Sequence, residues 1–259
     1  MKKLSFLLLA VLSLAINAEA AVKTKYIEYK QGNTILEGYL AWDNAKTGKR
    51  PGVLVVHEWT GLGPYVQKRA EMLAGLGYVA FAADIYGKGI RPASQAEAAK
   101  IATIYKDDRS LMRARARAAL DTLKAQQNVD QKRLAAIGYC FGGTTVLELA
   151  RDGADIKGVA SFHGGLSTPK PEDARNIKAK VLAMHGADDP FVKPDEVTTF
   201  QQEMRAAKVD WQFITYGNAV HSFTNPEAGT ENSKGAAYNE KADLRSWEAM
   251  KQFFAEIFK

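Results

Sequence analysis

Leu134-Ala135-Ala136-Ile137-Gly138-Tyr139-Cys140-Phe141-Gly142-Gly143-Thr144-Thr145-Val146-Leu147-Glu148-Leu149-Ala150 is the stretch that decides the architecture. Leu134 to Ile137 is short, apolar and closed by glycine, the pattern of a buried strand, whereas Gly142 to Ala150 reads as a helix. Between them, Gly138-Tyr139-Cys140-Phe141-Gly142 has the form G-x-S-x-G with sulfur in place of the hydroxyl, a strand-to-helix turn that exposes a nucleophile. Its need for glycine is steric: the central residue is strained, and strand and helix approach too closely around it to admit side chains. A helix starting behind Cys140 directs unsatisfied N–H groups and a partial positive charge toward the sulfur, which favours a thiolate. Taken alone, the segment also fits a glycine-rich turn around a small buried cysteine.

Outward from this turn, short apolar runs alternate with amphipathic ones. Strands are predicted at Val53 to Val56, Val79 to Ala83, Val159 to Phe162, Val181 to Met184 and Trp211 to Tyr216. Helices are predicted at Pro64 to Ala74, about Ala93 to Tyr105, Arg109 to Gln126, Pro194 to Ala207 and Ala242 to Phe258. Before them, Tyr26 to Tyr29 and Ile35 to Trp42 flank Gln31-Gly32-Asn33 as a hairpin. The fold class is therefore α/β: a mostly parallel sheet with an N-terminal antiparallel hairpin and helices on both faces. Functional groups of such a sheet gather in loops at the carboxyl ends of its strands.

Several candidates lie there. His185-Gly186-Ala187-Asp188-Asp189-Pro190-Phe191-Val192 follows a strand and offers an acid. G-x-x-D-x-x-V spacing selects Asp189, with Asp188 the second choice, and either aspartate could instead cap the next helix. His221-Ser222-Phe223 follows the last strand and supplies a base. The order nucleophile, acid, histidine is that of α/β-hydrolases and not of chymotrypsin or subtilisin. His57, His163 and His185 also stand at strand ends, where local packing and hydrogen bonding are the expected roles. Glu58, at another strand end, is either a surface carboxylate or a proton acceptor near the sulfur.

Composition narrows the setting. The 259 residues open with Lys2 and Lys3, an apolar run from Leu4 to Ile16, and Ala18-Glu19-Ala20, the order of a cleavable signal peptide. Residues 1 to 20 are read as that signal, with cleavage after Ala20, and residues 21 to 259 as one domain in a periplasmic or secreted protein. The run is too short to span a bilayer, so no membrane attachment is expected after cleavage. Cys140 is the one cysteine, and a lone thiol in an oxidising compartment calls for a chemical reason. The formal net charge of +6 is moderate. Arg109, Arg113 and Arg117, four residues apart, read as a solvated helix face, so no nucleic-acid partner is expected.

Val55-Val56-His57-Glu58-Trp59-Thr60-Gly61, Ala83-Asp84-Ile85-Tyr86-Gly87, the cysteine turn, Asp189-Pro190-Phe191-Val192 and His221-Ser222-Phe223 together resemble the dienelactone hydrolase family over nearly the whole chain beyond the leader. The resemblance implies an α/β-hydrolase fold and a Cys140-His221-Asp189 triad that opens a carboxylic ester or lactone through an acyl-enzyme, with no cofactor and no metal. It further implies that Glu58 controls ionisation of the thiol and that the backbone N–H groups of Phe141 and Trp59 form the oxyanion hole. Two arginines expected to hold a substrate carboxylate are Lys88 and Asn225 here; lysine loses bidentate geometry, asparagine loses the charge, and Arg91 could substitute. Tyr86 and Phe223 join these as candidate substrate-binding residues, pointing to an apolar or aromatic small molecule. A thioesterase or other acyl hydrolase, or a catalytically silent periplasmic binding protein, are the competing readings. A monomer or small homo-oligomer is expected.

Overall fold

The computed structural model describes residues 22 to 259; the leader reading of residues 1 to 20 falls outside them. Strands β1 (Val22–Gln31), β2 (Thr34–Asp43), β3 (Arg50–Val56), β4 (Val79–Ala83), β5 (Val129–Tyr139), β6 (Gly158–Phe162), β7 (Lys180–Gly186) and β8 (Trp211–Tyr216) form one sheet in the order β1-β2-β4-β3-β5-β6-β7-β8. The hairpin β1-β2 and the pair β2-β4 are antiparallel, and every other pair is parallel. Helices α1 (Pro64–Gly75), α2 (Gln95–Asp107), α3 (Arg109–Lys124), α4 (Phe141–Arg151), α5 (Pro194–Ala206) and α6 (Glu240–Ile257) fill the connections. Among the described residues no helix is long and apolar enough to cross a membrane.

The uninterrupted apolar runs follow from burial on both sides of the sheet. Leu54 and Val56 of β3 enter a core shared with α2, α3, α4 and α5, whereas Val53 and Val55 enter the opposite core with α1 and α6. Strand order then creates the site. From β3 the chain steps outward to β4, then crosses back past β3 to β5, so the connections leaving β3 and β5 diverge and open a crevice at their carboxyl ends. Val56 pairs with Gly138, Tyr139 with Phe162, and Phe162 with Met184. These pairings bring the loops beginning at His57, Cys140, His163 and the segment after Gly186 to one edge of the sheet.

Two expectations change. β5 begins at Val129, five residues before the apolar run, because Val129 and Asp130 pair with Arg50 and Pro51 ahead of an irregularity between Pro51 and Gly52. The arginine row on α3 is not a solvated face. Arg113 bridges Glu148 and Asp173, and Arg117 pairs with Asp152, so these cations clamp α3 to α4 and to the turn of 3₁₀ helix at Pro171–Asn176.

The glycines of the cysteine turn are required by contact. A Cβ on Gly138 would collide with the carbonyl of Gly142, and one on Gly142 would collide with the carbonyl of Val56. Backbone cannot yield as a flexible side chain can. Gly138→Ala is therefore expected to cost ~3 kcal/mol or more, lowering Tm by ~6–12 °C in circular-dichroism melts of a domain this size. A wild-type Tm would show that β5 and α4 can separate without penalty.

Candidate active site

Cys140 is the residue between β5 and α4, with φ 54° and ψ −115°. A left-handed φ at a residue with a side chain costs ~1–3 kcal/mol and persists only where the surroundings impose it. Here they do: the Cys140 N–H donates to Phe162 O at 3.0 Å and to His163 Nδ1 at 3.1 Å. The turn lifts the sulfur into a half-buried position at the crevice. Behind it, the N–H of Phe141 belongs to the first residue of α4 and so has no intrahelical acceptor.

Asp189 follows β7 and is buried, whereas Asp188 is exposed. One Asp189 oxygen accepts the N–H of Phe191 at 2.8 Å, and the other accepts His221 Nδ1–H at 2.8 Å. Of the two aspartates, Asp189 is the one bonded to His221. Backbone bonds between His221 and both Gly235 and Ala237 hold the imidazole loop. With Nδ1 engaged by the carboxylate, Nε2 is the nitrogen left to Cys140. Burial by itself would lower the His221 pKa, but the charge and hydrogen bonding of the Cys140 side chain and the bond to Asp189 outweigh it, and the pKa is pushed up to about 10. Phe191, 61% exposed, stands edge-on against the imidazole with ring centroids 5.4 Å apart.

Glu58 follows β3 and is buried, not a surface carboxylate. Asn225 Nδ2 donates to it at 2.6 Å and Ser222 Oγ at 3.4 Å. Burial raises its pKa, with the Asn225 amide, the His221 charge and Ser222 pulling the other way. Next to it, the Trp59 backbone is fixed: Tyr86 Oη donates to Trp59 O at 2.9 Å, and Gly61 N–H closes a turn onto Glu58 O. His57 is the strut beneath. Its ring binds Glu58 O through Nδ1 at 2.6 Å, accepts Ile85 N–H at Nε2 and stacks on Phe141. Burial lowers its pKa to about 4, so it remains neutral there.

The substrate-binding candidates divide. Phe223 is fully buried against Tyr216 and His163, so its assignment to substrate is corrected: it is core. Lys88 is exposed and pairs with Glu28 and Glu37 of the hairpin. Asn225 is buried and spends its amide on Glu58, and the hydroxyl of Tyr86 is spent on Trp59. Arg91 remains, half-buried beside Gly61, with Nη1 3.9 Å from Asp84. Thr224 lies outside every motif, and Ser222 and Phe191 stand within motifs without a role of their own; all three contribute here.

A mostly parallel sheet whose crevice gathers a cysteine on a strained strand-to-helix turn and a histidine bonded to an aspartate defines an α/β-hydrolase. The dienelactone hydrolase family model matches residues 36–258, and the chain belongs to that family. A protein of Aquifex aeolicus that carries the name of a carboxymethylenebutenolidase is 27% identical over 237 residues, covering 90% of this chain and 98% of its own. Among solved structures, one named m3DLH is 47% identical with a TM-score of 0.89, covering 92% of this chain and all of its own. Another, described as a dienelactone hydrolase-like promiscuous phosphotriesterase from metagenomic libraries, is 44% identical with a TM-score of 0.87 over the same shares.

Because the aspartate supports the imidazolium, removing its charge must release the proton earlier. In an NMR titration the His221 ring is expected to stay protonated until about pH 10 in the wild-type chain. In Asp189→Asn the midpoint should fall by ~1 unit or more, the size of shift a carboxylate contact produces. An unchanged midpoint would mean that Asp189 does not set the charge on this ring.

Proposed function

We propose that this hydrolase cleaves a carboxylic ester or lactone with Cys140 as nucleophile, His221 as acid and base, and Asp189 as the group that orients and charges His221. The observation that carries the reading is the 2.8 Å bond from His221 Nδ1 to Asp189, which leaves Nε2 to the cysteine. The thiolate attacks the carbonyl carbon, a C–S bond forms, and the π electrons move onto oxygen. The N–H groups of Phe141 and Trp59 receive that oxyanion; one such donor is typically worth ~10²-fold or more in rate. The carbonyl re-forms as the C–O bond breaks, and His221 Nε2–H protonates the leaving alkoxide. His221 then takes a proton from water, the hydroxide attacks the thioester, and Cys140 leaves as thiolate with release of the acid. Glu58 controls the proton at the sulfur, a role supported by its buried carboxyl and raised pKa. The leader reading makes the mature protein an exported one, which N-terminal sequencing of protein from the producing cell would check.

A phosphotriester is the second substrate class, supported by the 44% identity to the solved promiscuous phosphotriesterase. The same thiolate would attack phosphorus and the same imidazolium would protonate the departing alkoxide. The silent-binder reading is disfavoured by a histidine bonded to a buried carboxylate and with its pKa raised. Cys140→Ala is expected to lower p-nitrophenyl acetate turnover by ~10³-fold or more, as removal of a covalent nucleophile does, while the thermal melt stays near wild type. Retained turnover would place the nucleophile elsewhere. Lactones, esters with and without a carboxylate, and diethyl p-nitrophenyl phosphate, compared by kcat/KM, would rank the substrate classes.

A further inference from the structure

His163 takes part in no step above, yet it touches the turn of the nucleophile directly. It follows β6, is fully buried, and holds φ 41°, an uncommon conformation for a residue with a side chain. Its own N–H donates to Met184 O at 2.8 Å, which anchors its backbone to β7. Nδ1 accepts the Cys140 N–H at 3.1 Å, and Nε2 lies 2.7 Å from Thr224 Oγ1. With Nδ1 accepting, the ring proton is on Nε2 and is donated to threonine.

Thr224 stands three residues after His221 and immediately before Asn225, so it belongs to the loop that carries the base and the clasp on Glu58. It is fully buried and anchored from the other side: Tyr65 Oη lies 2.6 Å from its hydroxyl, and Arg69 Nη2 donates to its carbonyl at 2.6 Å while also binding Asp243. A continuous line of hydrogen bonds therefore runs from α1 through Thr224 and His163 to the backbone of Cys140. Along it, the strand-to-helix turn and the histidine loop, 81 residues apart in sequence, acquire a fixed separation.

We propose that His163 and Thr224 are positioning residues that hold the Cys140 turn in register with the His221 loop, so that the sulfur and the imidazole meet at reactive distance. The inference rests on the reading of Cys140 as nucleophile. Charge agrees with it. Burial, with His221 and Arg69 nearby, holds the His163 pKa well below its ordinary value, and a neutral ring is what an Nδ1 acceptor requires. A protonated His163 would turn an N–H toward the N–H of Cys140 and set a second cation edge-on to His221, whose ring centroid is 5.3 Å away. Neither ring nitrogen of His163 is free for substrate, which separates its role from that of His221.

Thr224→Val keeps the side-chain volume and deletes the hydroxyl; Thr224→Ser keeps the hydroxyl. On p-nitrophenyl acetate, Thr224→Val is expected to lose ~10- to 100-fold in kcat with KM within about twofold, the signature of reacting groups held slightly out of place. Thr224→Ser should restore most of it. Alkylation of Cys140 by iodoacetamide at pH 6, which reads the thiolate, should slow ~3-fold or more in Thr224→Val relative to Thr224→Ser. A purely structural threonine would lower Tm without moving that rate. His163→Asn is the second variant, because asparagine tolerates the left-handed backbone and can still accept the Cys140 N–H but does not extend to Thr224. It should match Thr224→Val. Wild-type kcat and alkylation in either folded variant, beside an inactive Cys140→Ala, would overturn the positioning role alone. Turnover surviving in Cys140→Ala would instead overturn the nucleophile on which it rests.

Discussion

The contact on which the molecule depends is backbone against backbone, where the first turn of α4 lies across the ends of β3 and β5 with no side chain between. Gly142 meets the carbonyls of Val56 and His57, Gly138 meets Gly142, and on the far side Gly143 meets Gly164 and the hydroxyl of Ser161. A helix can come this close to a sheet only where Cβ atoms are absent, and the approach forces Cys140 out of the ordinary regions of φ and ψ. The same displacement brings its sulfur to the crevice where the connections from β3 and β5 part. Strain at one residue and position of the reactive atom are thus one structural fact, sustained by burial throughout the surrounding sheet.

Four histidines stand at this edge, and environment assigns each a different state. His57 and His163 are enclosed without a carboxylate partner, so burial keeps both neutral, and each acts through its ring as a connector between backbone segments. His185 is likewise shifted downward by burial. His221 is enclosed too, but it alone has Asp189 on one side and Cys140 on the other, and that pairing reverses the sign of the shift. Desolvation acts against charge in all four; only a specific anionic partner overcomes it. Of the four, the environment therefore favours a proton on His221 alone, the ring beside the cysteine.

Much of this was legible in the chain because it is enforced by local rules. The turn around Cys140 announces itself through glycines that no other residue can replace, and β3, β4, β6 and β7 through apolar runs that burial on both faces demands. Asp189 could be ranked above Asp188 by spacing, and the hydrogen bond to His221 separates them by geometry. What escaped depends on partners distant in sequence. β5 starts early because Arg50 and Pro51 of β3 pair with Val129 and Asp130 ahead of the irregularity that precedes Leu134. Arg113 and Arg117 have the periodicity of a wet face, but Glu148, Asp173 and Asp152 are brought to them by α4 and the segment beyond. Phe223 is adjacent to residues of the site yet packs into the core, because Tyr216 of β8 and His163 after β6 enclose its ring. His163 and Thr224 carry no motif at all; their bond exists only once β6 and the His221 loop are neighbours.

Among the described residues the sheet ends at β1, ten residues long and paired on one side, with β2. An open strand of that length offers a row of free backbone donors and acceptors to any other chain, the usual route to uncontrolled stacking. Here Lys23, Lys25, Glu28 and Lys30 are exposed along it, and bringing a second such strand alongside would crowd ammonium groups and strip water from them. The hairpin that extends the sheet beyond β4 thus also works as a fender: its charged outer margin keeps one molecule's sheet from growing into the next.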